Sequence, residues 1–183
     1  MRLSWHLFVN HCVERAFMGH EPGMRANACF DLVVANHVLY YVPDLDRTLQ
    51  DLLYTLATPG LFLTAMSGQS NAMAQFCLRC FDLLGKPFPY YTAEACEAAL
   101  TALGEAYCTE DIHYELVFPD TEEHRLTMGR FLMGGDFHAL PRPALLQGFD
   151  SYMLAGQIAM HLVHTHVIVR RLARSAPGMA ELE

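Results

Sequence analysis

No stretch of this sequence approaches the roughly 20 apolar residues that a membrane-spanning helix needs, so no membrane partner is expected of it. Charge is scarce: 17% of the residues are charged, against 52% that are hydrophobic. The net charge is −8 and the isoelectric point is near 5.6. Nothing supplies the broad basic face that unaided nucleic-acid binding requires, and a mildly acidic surface speaks mainly for solubility. The start, Met1 to Val9, carries one arginine and an apolar patch broken by His6, then followed by Asn10, His11 and Glu14. No convincing cleavage site follows, so it does not read as a signal peptide.

Other absences narrow the chemistry. The six cysteines (12, 29, 77, 80, 96 and 108) form no tight framework and most sit in apolar segments; reduced, buried thiols of a cytoplasmic protein are expected. Cys77 and Cys80 have zinc spacing but fall in a helical pattern with no second pair, so they read as buried helical thiols. None of Ser4, Ser67, Ser70, Ser151 and Ser175 sits in a nucleophile elbow. His164 and His166 could share a strand face as metal ligands, but carboxylates are scarce nearby, and no metal is expected. There is no internal repeat and no low-complexity segment.

What remains is a chain of 183 residues, enough for one domain with a substantial core. So much apolar sequence favours a packed globule and leaves some apolar surface for a partner. The chain is organised around Phe30 to Asp44, FDLVVANHVLYYVPD. Phe30 to Ala35 is apolar but for Asp31, contains the β-branched pair Val33 and Val34, and ends at Asn36-His37. It reads as a strand buried on both faces, of the parallel kind that helices cover. The polar break falls at the strand's carboxyl end, where open α/β sheets place ligands.

The rest follows in order. Leu3 to Met18 can be drawn as a helix broken by Gly19 to Gly23. Asp44 is a helix cap before Leu45, Leu49, Leu52, Leu53 and Leu56 at helical spacing, and Thr58-Pro59-Gly60 ends that helix. Leu61 to Met66 reads as a buried strand, Asn71 to Leu84 as a helix, and Thr92 as the cap of a further helix stopped by Gly104. Ala106 to Phe118 holds a strand, and Pro119 to Glu123 opens a helix that runs through Met133. Gly134 to Pro143 reads as loop, Ala144 to Met160 as helix and Leu162 to Leu172 as a last strand, before a polar tail at 173–183.

The segment from Phe30 through Val42, Pro43-Asp44, a helix and then Pro59-Gly60-Leu61-Phe62-Leu63 resembles the fourth-to-fifth-strand region of class I S-adenosylmethionine-dependent methyltransferases, most closely the small-molecule type. The resemblance continues weakly to about Arg171 and does not cover residues 1–29. It implies an α/β, Rossmann-like methyltransferase sheet, incomplete, comprising the fourth to seventh strands with flanking helices in residues 30–172. The last strand is inserted antiparallel beside the fifth. It also implies a cofactor lying across the carboxyl end of the fourth strand, with Asn36, His37 and Val38 lining its pocket. His37 is a weak catalytic candidate. Tyr40, Tyr41, Ser67 and Gln69 face the same rim and are candidates for contact with a small-molecule methyl acceptor.

The family's glycine-rich turn and its acidic ribose ligand have no counterpart, since no strand here is followed by a Gly-x-Gly pattern. Hydrogen bonds to a charged group are worth roughly 1.5–3 kcal/mol each, so weak or lost binding of S-adenosylmethionine by this chain alone is expected. Without the neighbour that the family provides, Phe30 to Ala35 becomes an open apolar edge, and a homo-oligomer through that edge is expected. The alternative to an enzyme is a non-catalytic remnant or interaction subunit that pairs through the same edge.

Overall fold

Side-chain alternation along two long strands sets up the two faces of the sheet. The structure is a computed structural model and describes residues 30–172. The expected helix at Leu3 to Met18, the tail at 173–183, Cys12 and Cys29 lie outside the described residues. Strand β1 (Phe30–Val34) runs parallel to β2 (Leu56–Ser67), with Val33 beside Phe62 and Val34 beside Leu63. Strand β5 (Gln157–Arg171) is antiparallel to β2 on one side and to β3 (Tyr107–Pro119) on the other. A two-residue β4 (Met153–Leu154) folds back on the start of β5. The sheet order is therefore β1-β2-β5-β3, with β4 on β5. The expected insertion of the last strand beside the second of the parallel pair is what the register shows.

Helices cover both faces. Helix α1 (Leu45–Thr55) starts where the Asp44 carboxylate accepts from the Arg47 N–H at 2.9 Å. Its Leu45, Leu49 and Leu53 are buried and pack, with Cys96 and Leu100 of α3 (Ala93–Ala102), against Phe62, Met66, Val167 and Val169. Each fully buried leucine stabilises the fold by about 1.5–3 kcal/mol. Helix α2 (Ala72–Leu83) is capped by Asn71, which accepts from the Met73 N–H at 2.9 Å. The same side chain donates to the Val163 carbonyl at 2.7 Å and so ties the helix to β5. Helices α4 (Glu122–Met133) and α5 (Arg142–Gln147) complete the second layer. There Phe76, Phe81, Leu145 and Phe149 enclose Ile158, Met160 and Leu162.

Strand β5 serves both layers by parity. Its residues 158, 160 and 162 face the second layer, whereas 167 and 169 face the first. His164 and His166 lie between, half-buried, on the 158–162 side. Arg125 of α4 joins the ends of the second layer, donating to Asp120 at 2.6 Å, Asp150 at 2.6 Å and the Leu146 carbonyl at 2.6 Å.

Five expectations need correction. Strand β1 is not buried on both faces: Leu32 is 56% and Val34 51% exposed, and only Val33 is half-buried. The reason is its position at the end of the sheet, with a hydrogen-bonded neighbour on one side only among the described residues. The second strand begins at Leu56 rather than Leu61, so Thr58-Pro59-Gly60 lies within a strand that bulges opposite β1. Residues 144–160 are not one helix. Gly148 closes α5, Ala155 and Gly156 take φ of 49° and 77° in a tight turn, and β5 has already begun at Gln157. Within the expected loop at 134–143, Gly134–Ala139 is a 3-10 helix and α5 starts at Arg142. Cys108 also departs from the expected burial, being an exposed free thiol, whereas Cys77, Cys80 and Cys96 are buried and free.

Candidate functional site

The parallel ladder between β1 and β2 extends past the end of β1. The Ala35 N–H donates to the Leu63 carbonyl at 2.9 Å and the His37 N–H to the Ala65 carbonyl at 3.0 Å. The Thr64 hydroxyl, fully buried, donates to the Ala35 carbonyl at 2.9 Å. This pinning holds His37 at φ 53°, a left-handed conformation that costs a non-glycine residue about 1–3 kcal/mol. The chain then winds through a 3-10 turn, Leu39–Tyr41, whose Leu39 is buried and anchors it.

This backbone distributes the expected site residues. Asn36 is exposed on the turn, and Val38 packs against the first core. The His37 ring lies between two partners: its Nδ1 is 3.2 Å from the Tyr40 hydroxyl, and its centroid is 4.3 Å from that of His164. Tyr40 reaches across to β2, where its hydroxyl donates to Ser67 Oγ at 3.3 Å and accepts the Ser67 N–H. A phenol has one proton to give. With that proton on Ser67, His37 Nδ1 must carry the hydrogen in the contact with Tyr40, leaving Nε2 as the acceptor nitrogen. Burial pushes the Tyr40 phenol above its ordinary range, although its two bonds to Ser67 oppose the shift.

Tyr41 meets the Tyr40 ring edge-on at 5.8 Å but points away from His37 and Ser67 toward solvent and Tyr90. It is 65% exposed and meets the Tyr90 ring edge-on at 5.3 Å. Tyr90 continues to Phe88 at 5.4 Å and Phe81 at 6.0 Å, an aromatic wall from the rim to the second core. Burial pushes the Tyr90 phenol up to about 12. Gln69 is held by its backbone: its N–H donates to Glu94 at 2.9 Å and its carbonyl accepts from Gln75 at 2.6 Å. The structure thus brings His37, Tyr40 and Ser67 together and leaves Asn36, Tyr41 and Gln69 around them.

Two members of the cluster are not expected at this rim from the sequence: His164 reads there only as a metal-ligand candidate beside His166, and Tyr114 only as a strand residue. His164 of β5 faces His37, and the hydroxyl of Tyr114 of β3 is 2.9 Å from His164 ring nitrogens. Residue spacing puts His164 and His166 on one strand face, but only the inter-strand register brings that face to the end of β1. Burial, then the neighbouring His37 and His166, lower the His164 imidazole to about 4. Burial and His166 lower His37 as well. Both rings are therefore neutral near pH 7.

Two concavities occur in the fold. One, of about 290 Å³, is lined by His113, Tyr114, Glu115 and His161 and so reaches the Tyr114 side of the cluster, and one of about 360 Å³ is lined by Asp44, Leu45 and Tyr91; neither is lined by Asn36 or His37. Among the described residues no three histidine, cysteine or acidic side chains converge to hold a metal ion. The Cys77 and Cys80 thiols, buried in α2, are pushed up to about 12 and 11, mainly by that burial. They are inert helical cysteines, as their pattern suggested. No described helix is long and apolar enough to cross a membrane.

No protein-family model and no curated protein matches the chain. Solved structures do. The YcgJ protein of Bacillus subtilis is 12% identical, with a TM-score of 0.52 over 89% of this chain and 76% of its own. A Bacillus halodurans protein classed as a methyltransferase is 15% identical, with a TM-score of 0.48 over 88% of this chain and 78% of its own. Phosphoethanolamine N-methyltransferase 2 of Haemonchus contortus was solved with phosphomonomethylethanolamine and S-adenosylhomocysteine. It is 16% identical, with a TM-score of 0.41 over 80% of this chain and 34% of its own. At such identities the likeness speaks for architecture alone, and the chain carries a mixed-sheet α/β fold that it shares with the YcgJ protein.

Proposed function

We propose that the chain is a methyltransferase-type protein that transfers a methyl group from S-adenosylmethionine to a small molecule. The observation that carries the reading is the polar rim at the carboxyl ends of β1 and β2, with His37, Tyr40 and Ser67 hydrogen-bonded in series. It sits where an open α/β sheet places ligands. Methyl transfer asks little of a protein beyond holding two reactants in line, so a rigid rim matters more than a particular nucleophile. Asn36, His37 and Val38 form the donor side of this rim. Tyr40, Tyr41, Ser67 and Gln69 form the acceptor side, and the Tyr41 and Tyr90 faces offer cation–π attraction to a positively charged group.

The described residues complete only part of a donor cradle. Strand β1 has no partner on its outer side among them, and residues 30–172 contain no Gly-x-Gly turn. Donor binding by this rim alone is accordingly weak. Incubation with methyl-labelled S-adenosylmethionine and a panel of small amines, phenols and acids tests the reading. Label transfer that falls at least tenfold in His37→Ala supports it; no transfer to any class, at donor concentrations above saturation, contradicts it.

A second reading is favoured by β1 itself. Its Phe30, Leu32 and Val34 are 43%, 56% and 51% exposed beside a backbone edge that has no partner among the described residues. A non-catalytic chain that pairs with a second copy through this edge would have that surface.

A further inference from the structure

Three imidazoles and three hydroxyls share one face at the carboxyl end of β2. His37 and His164 are in ring contact at 4.3 Å, and His166 follows two residues along β5 on the same face. The Tyr114 hydroxyl is 2.9 Å from His164, and Tyr40 links His37 to Ser67. The imidazoles and the Tyr114 hydroxyl can donate hydrogen bonds, the Tyr40 proton being held by Ser67, and an imidazole gains a second N–H when it takes up a proton. Protonation of the free cluster is opposed by burial and by the neighbouring rings. A cation placed there would add to that opposition. An anion would remove it, and would draw a proton onto the pair.

The charged and titratable groups around the cluster leave room for an anion. On β3, Glu110 stands across from His166, whereas Asp111 accepts from the Thr165 hydroxyl at 2.8 Å on the other face of the sheet. On α3, Glu94 is occupied by the Gln69 N–H. On the 3-10 turn, Tyr41 leans on Tyr90. The net charge of −8 acts from farther away and is screened over about 8 Å at physiological salt.

We propose that this cluster binds a small oxyanion, the phosphate or carboxylate group of a ligand, at the open nitrogen edges of the His37 and His164 rings, with the hydroxyl of Tyr114 as a further donor. Binding takes up a proton from solvent onto the imidazole pair, and no covalent bond changes. The inference does not need the methyl-transfer reading; where that reading holds, the oxyanion belongs to the methyl acceptor and gives it a chemical class.

Histidine ring signals of the full chain, followed by NMR while sodium phosphate or sodium acetate is added at constant ionic strength, test the proposal without any donor. The expected result is a saturable movement of the His37 and His164 signals, with phosphate binding several-fold tighter at pH 6 than at pH 7.5 and with the His138 signal still. A response to phosphate alone assigns the site to phosphorylated ligands, and a response to acetate as well extends it to carboxylates. His164→Gln weakens the response about tenfold, the loss of one hydrogen bond to a charged group. Tyr114→Phe, which keeps the ring, weakens it by a smaller factor and serves if His164→Gln fails to fold. No saturable response to either anion overturns the proposal. So does an undiminished His37 response in a folded His164→Gln or Tyr114→Phe protein.

Discussion

At the scale of the residue, His164 decides how this protein meets acid. Its imidazole is lowered from the ordinary value of about 6.5 to about 4, by burial first and then by His37 and His166. The unfolded chain takes up that proton near pH 6.5, whereas the folded chain resists it until near 4. Between those values the unfolded state binds more protons, so stability falls as pH falls. The stabilisation is complete above about pH 6.5 and is lost progressively down to 4. Thermal unfolding across pH 7 to 4.5 is expected to show this decline in Tm, and His164→Asn is expected to flatten it. A decline of the same steepness in the variant places the acid sensitivity elsewhere. Much of this was invisible in the sequence. The run His161-x-x-His164-x-His166 shows that two imidazoles share a strand face, but their neighbours depend on a pairing with β2 and β3 that lies 97 and 50 residues away (Ser67 to His164, Tyr114 to His164).

At the scale of the element, β1 shows what pattern reading captures and what it misses. Its apolar, β-branched run located a strand parallel to the next one, and Asp44 located the helix that joins them. Exposure was misjudged because a strand's burial depends on its neighbours, which composition does not reveal. The hairpin at Met153 to Gln157 failed differently. Ile158, Met160 and Leu162 alternate with period two, but the preceding Ala144 to Gln147 is helical. A pattern that changes period within a few residues is easily read as one long helix. The β1 edge also makes a prediction. An unpaired, apolar strand edge favours pairing with a second copy, so light scattering is expected to show mass rising with concentration. Leu32→Lys, placing a charge on that strand, is expected to keep the protein monomeric. A concentration-independent monomer in the unaltered protein contradicts it.

At the scale of the whole molecule, the fold and the site differ in how much they share with known proteins. The sheet order β1-β2-β5-β3, with β5 reversed, gives an architecture shared with YcgJ at only 12% identity. The turn from Asn36 to Tyr41 follows the carboxyl end of β1, and β1 ends the described sheet, which under the proposed function leaves the donor side open. Titration calorimetry with S-adenosylhomocysteine measures that grip directly. Saturable binding with a dissociation constant on the order of 1 mM, about 4 kcal/mol, is expected. A micromolar constant would show a complete donor cradle and contradict the half-cleft, and a total absence of saturable binding would contradict the methyltransferase reading itself.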